Sequence, residues 1–121
     1  MSEVFEYALI RVVPRVERGE AINVGVILYS RGHDYLWARV HLDEHRLRAL
    51  DPAADLSAVR TALGVIIRAC SEGPLAGQPL GARFRWLTAP RSTMLQPSPV
   101  HTGLTDDPEA ELQHLFDTLV L

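Results

Sequence analysis

The residues of this chain whose types could do chemistry are five histidines, one cysteine and two adjacent pairs of carboxylates. His41 and His45 stand four apart, the separation that puts both imidazoles of an H-E-x-x-H helix on one zinc ion. Here His41 closes an alternating, strand-like stretch and His45 opens a helical one, so the helical geometry does not apply. No metal site is expected from His33, His41, His45, His101 and His114. Cys70 continues an apolar stripe through Ile66 and Ile67, with nothing to stabilise a thiolate, which makes it a core thiol rather than a nucleophile. Ser92 and Ser98 lie near His101 in sequence, yet neither sits in a G-x-S-x-G elbow. Asp43-Glu44 and Asp106-Asp107 fall at helix starts, where capping accounts for both pairs. No catalytic residue is assigned.

Cofactor chemistry fares no better. Gly19 and Gly25 are six apart, but Gly25 lies inside an apolar strand instead of at a helix N-terminus, so no phosphate-binding fingerprint exists. All twelve basic residues are arginine, which removes Schiff-base chemistry and the phosphate lysine of P-loops together. GC-rich coding accounts for that bias. What remains is a set of polar groups suited to recognition. Arg15, Arg18 and Glu20 occupy one charged loop; Asn23 interrupts the apolar strand after it; Arg91, Ser92, Gln96 and His101 lie in a later irregular segment. If the two segments meet, they present guanidinium forks and amides to an anion or a partner. Asn23, flanked by Ile22, Val24 and Val26, must be hydrogen-bonded if buried, and a role fastening the preceding loop is the simplest reading.

The elements that must position these groups follow from periodicity. Val4 to Val13 alternates and ends at Pro14; Ile22 to Tyr29 is apolar on both faces; Tyr35 to Leu42 alternates again after the turn Ser30 to Asp34. Three successive strands make an antiparallel meander. Gly25 within the second suggests a bulge or a close approach. Asp43 opens a short helix that stops at Asp51-Pro52, and Asp55 opens a longer one ending at Gly73-Pro74. Arg83 to Leu87 has a period of two and reads as a fourth strand, with Phe84 and Trp86 on one face. Thr88 to Thr105 is irregular, with Thr93 to Gln96 able to add an edge strand, and Asp107-Pro108 begins a final helix through Leu112, Leu115, Phe116 and Leu119. The expectation is an α+β domain: an antiparallel sheet of about four strands, a meander plus a later strand, packed by two or three helices on one side.

With 121 residues, 47% of them hydrophobic, the chain suits a single domain over 1–121. A net charge of −3 gives no general reason to bind polyanions, and the one aromatic–basic interleaving, Arg83 to Trp86, reads as a half-buried strand, so nucleic acid is an unlikely partner. The lone cysteine and the absence of a basic-then-apolar start or a membrane-length apolar run point to a cytoplasmic location.

The string Tyr7-Ala8-Leu9-Ile10-Arg11-Val12-Val13-Pro14, followed by Arg18-Gly19-Glu20-Ala21-Ile22-Asn23-Val24-Gly25-Val26-Ile27-Leu28, resembles the start of the bacterial domain-of-unknown-function family 3037. Phe84-Arg85-Trp86-Leu87, Arg91-Ser92, Gln96-Pro97-Ser98-Pro99-Val100-His101-Thr102-Gly103 and Asp107-Pro108 extend the resemblance over essentially the whole chain. It implies a small bacterial stand-alone protein with no assigned activity, no cofactor and no catalytic residues to carry over. Relatives encoded beside HipA-like kinase-fold proteins make a kinase-like protein the candidate partner. The resulting expectation is a small non-enzymatic protein-interaction module that uses the Arg15 to Asn23 and Arg91 to Gly103 segments. The alternative is a small enzyme or binding domain for an anionic metabolite held by the same arginines.

Overall fold

A computed structural model describes residues 1–71, 77–91 and 93–121. Among these residues five antiparallel strands form one sheet: β1 (Glu3–Val12), β2 (Ile22–Ser30), β3 (Tyr35–Val40), β4 (Leu95–Pro97) and β5 (His101–Thr105). The meander runs β3-β2-β1, and both later strands lie on the far side of β1. β4 pairs with Ile10–Val12 and β5 with Glu3–Tyr7, so together they make one interrupted edge. Ser98 bridges the interruption: its Oγ accepts from the Leu9 amide at 2.8 Å and donates to the Pro99 carbonyl at 2.9 Å, while its own amide donates to the Leu9 carbonyl.

Alternation in β1 sends Ala8, Ile10 and Val12 to one face and Phe5, Tyr7 and Leu9 to the other. β2 changes phase at a bulge. Arg11 stands opposite Asn23 while Ile10 stands opposite Gly25, leaving Val24 as the extra residue. A Cβ on Gly25 would fall 2.9 Å from the Arg39 carbonyl oxygen, so the sequence expectation of a bulge and a close approach both hold.

Among the described residues four α-helices cover the sheet: α1 (Glu44–Leu50), α2 (Leu56–Ser71), α3 (Leu80–Leu87) and α4 (Pro108–Leu119). Asp43, Asp55 and Asp107 accept from the amides of Arg46, Ala58 and Ala110, as their positions predict. Leu47, Val59, Leu63 and Cys70 pack with Ala8, Ile10 and Ile27 on one sheet face. The α+β class stands as expected, but the helices divide between both faces. α4 lies on the opposite one, where Leu112 and Val120 meet Phe5, Val26 and Leu28. Tyr35 donates to Glu109 Oε2 at 2.6 Å, and Arg39 pairs with the same carboxylate.

One expected strand is a helix. Arg83 to Leu87 belongs to α3, because Leu80, Phe84 and Leu87 recur at helical spacing and Phe84 is fully buried against the Tyr29 ring, centroids 5.4 Å apart. Phe84 and Trp86 therefore do not share a face: Trp86 is 50% exposed. Arg85 reaches Glu6 on β1 with two hydrogen bonds, at 2.9 and 3.0 Å, fixing the helix across the sheet. The stop at Gly73-Pro74 lies outside the described residues.

Candidate functional site

The strands that carry Asn23 and Gln96, β2 and β4, flank the end of β1 on opposite sides. Its register sets Asn23 on one side of Arg11 and Gln96 on the other, and the Val13 amide donates to the Met94 carbonyl at 2.7 Å. The charged loop between β1 and β2 is wound by a single 3-10 turn over Val16–Arg18, with Gly19 at φ 70, the left-handed position that favours glycine.

The arginines of these segments are locally engaged. Arg15 pairs with Glu17 at 2.8 Å and Arg18 with Glu20 at 2.5 Å, all four side chains largely exposed. Backbone hydrogen bonding, with Arg15 adding to it, holds the Glu17 carboxyl below its usual range; Arg18 does the same for Glu20. Arg91 spans the C-terminus of α3, donating to the Leu87 carbonyl at 3.0 Å and the Trp86 carbonyl at 2.6 Å, with its guanidinium 4.7 Å from the Trp86 ring centroid. Asn23 donates to the Leu119 carbonyl at 3.1 Å, so it fastens the end of α4 rather than the loop before it. Gln96 donates to Thr93, and His101 sits opposite Tyr7 with ring centroids 5.2 Å apart. Ser92 lies outside the described residues.

Nucleophiles are not assembled among the described side chains. Burial pushes the Cys70 thiol up to about 12, so it is protonated at neutral pH, and its sulfur faces the Ile66 carbonyl. The Ser98 hydroxyl hydrogen is committed to Pro99.

Two features escaped sequence reasoning. One is an apolar cleft of about 140 Å³. Val65 and Ile66 of α2, Trp86 and Leu87 of α3 and Leu95 of β4 wall it, Ile10 and Ile27 floor it, and Arg91, Thr93 and Gln96 stand at its margin. Val65 is 44% exposed, so two large apolar side chains of the cleft are offered to solvent. Reading Arg83–Leu87 as a strand hid it, since only a helix turns Trp86 away from Phe84. The other is Arg11, the one charged residue in the run Tyr7 to Val13, half-buried on the face that carries α4. Its isolation among apolar neighbours was the available signal.

The molecule is thus an open-sheet α+β domain with an apolar cleft on one face, and no described helix is long and apolar enough to cross a membrane. A family model described as "Protein of unknown function (DUF3037)" matches residues 7–120, and the chain belongs to that family. No curated protein and no solved structure matches it.

Proposed function

We propose that this domain is a non-enzymatic cytoplasmic module that docks a protein partner in the cleft between α2, α3 and β4. The observation that carries the reading is the half-exposed Trp86, held beneath Arg91 at the mouth of an apolar hollow. Large exposed aromatics beside an arginine are the composition of interface anchors, and burying them is the dominant gain on association. Volume supports a side chain over a metabolite. Small-molecule sites run to roughly 300–1,000 Å³, whereas a cavity of about 150 Å³ takes a group the size of benzene. The cleft, at about 140 Å³, suits one apolar side chain of a partner. An acidic neighbour on that partner would face Arg91, whose guanidinium keeps donors beyond the two it spends on α3. A HipA-like kinase-fold protein is the partner to try first, on the strength of the family resemblance. Arg15, Arg18 and Glu20 lie in the exposed loop after β1 and pair within it, where single charges contribute little.

Affinity purification from the native host tests this. The wild-type chain should bring down a stoichiometric partner that Trp86→Ser and Val65→Ser each release while leaving the thermal midpoint near its original value. A partner retained by both variants, or a clean monomer under gentle lysis, contradicts the proposal.

A further inference from the structure

Of the twelve arginines, most have an evident counterpart. Arg15, Arg18, Arg39, Arg60 and Arg85 pair with carboxylates; Arg83 and Arg91 hold backbone carbonyls; Arg31, Arg46 and Arg48 are exposed to water. Arg11 is different. It is half-buried, no carboxylate among the described residues pairs with it, and its one hydrogen bond, from Nη2 to the Pro97 carbonyl, is long at 3.4 Å. Its Nε is buried without any acceptor. Arg39 also has an unpartnered Nε, but its charge is met by Glu109.

A guanidinium with its Nε shut off from water and no counter-ion leaves a buried donor uncompensated, a cost that a bound anion would offset. The C-terminal end of α4, tied to this face through Asn23 and Leu119, supplies partial negative charge but no acceptor for Nε. The strand register gives Arg11 two polar companions in one row across the sheet, Asn23 on β2 and Gln96 on β4. Each amide nitrogen has a second hydrogen beyond the one it gives to Leu119 or Thr93. A planar, charged fork between two amide donors matches the oxygens of an oxyanion.

We propose that Arg11, with Asn23 and Gln96 beside it, is an oxyanion-binding site that takes a carboxylate or phosphate group. Arg11 lies on the α4 face and does not line the cleft, whereas Gln96 borders it, so Arg11→Gln is the variant that separates this site from the docking proposal.

The test observes the arginine Nε–H resonances of the isotope-labelled protein while inorganic phosphate, acetate or a short glutamate-rich peptide is added, with chloride at matched ionic strength as control. The Arg11 signal, assigned by its disappearance in Arg11→Gln, should shift saturably with at least one oxyanion and not with chloride, and Gln96→Ala should weaken that binding roughly tenfold, the value of one hydrogen bond to a charged group. A peptide that acts at lower concentration than acetate assigns the site to a partner's side chain; phosphate acting first assigns it to a free anion. If Arg11→Gln does not fold, the wild-type titration and Gln96→Ala still decide. An Arg11 signal that follows ionic strength alone, or binding untouched by Gln96→Ala, overturns the proposal.

Discussion

Arg91 lies 4.7 Å above the centre of the Trp86 ring and in the same pose donates to the Trp86 carbonyl at 2.6 Å, so one side chain both closes α3 and holds its aromatic at the mouth of the cleft. Arg91→Ala removes two carbonyl contacts and the stacking together and should destabilise the fold by about 1–2 kcal/mol. Arg91→Lys should recover less than half of that, because an ammonium lacks the planar fork that spans two carbonyls. Urea midpoints at constant m-value measure both.

Gly103 makes room for Phe5. A Cβ there would stand 2.7 Å from the Phe5 ring, its cross-strand neighbour, and the core on the α4 face would have to yield. Gly103→Ala should therefore cost about 1–3 kcal/mol, with faster amide exchange concentrated in β5. Unchanged exchange in β5 would show that the ring moves freely.

Ser98 supplies the acceptor that the Leu9 amide lacks where the edge is interrupted. Ser98→Ala leaves a buried N–H unsatisfied, at about 1–3 kcal/mol. Ser98→Gly should do no better, since the missing atom is the hydroxyl oxygen.

Alkaline stability should report on Cys70. Its folded pKa of about 12 lies above an unfolded value of about 8.5, so the unfolded chain loses the proton first. The stabilisation is fully present below the unfolded value and declines as pH rises towards the folded one. Tyr35, pushed up by burial and by Glu109, acts in the same direction at higher pH. Unfolding free energy followed from pH 8 to about pH 11 should fall less steeply in Cys70→Ala than in wild type, and native-state alkylation of the thiol at pH 8 should be slow until urea is added.

Much of this architecture is legible in the chain. Pro14, the Ser30 to Asp34 turn and the three acidic caps mark β1, β2, β3, α1, α2 and α4 because local chemistry and tertiary packing agree there. α3 is ambiguous in isolation: Arg83-Phe84-Arg85-Trp86-Leu87 alternates, while Leu80, Phe84 and Leu87 also fit a helix, and the choice falls to the pocket around Tyr29 that receives Phe84. β5 is hidden for a different reason. His101-Thr102-Gly103-Leu104-Thr105 has no apolar face, since Gly103 yields its place to Phe5 and Leu104 is 68% exposed. Among the candidate site residues, the placing of Asn23 and Gln96 on either side of Arg11 was not legible, because the pairing of β4 with β1 joins strands more than eighty residues apart. Nor were the local partners of Arg18 and Arg91, because they depend on backbone carbonyls and loop geometry that residue types do not specify.

The most direct test of the docking proposal is a photo-crosslinking amino acid at position 65, beside Trp86, in living cells. One discrete protein adduct is expected, a kinase-fold protein to be sought by mass spectrometry, that disappears in Trp86→Ser and does not form from the same probe at position 114 on the exposed side of α4. No adduct at position 65, or an equal adduct at position 114, would contradict the docking proposal.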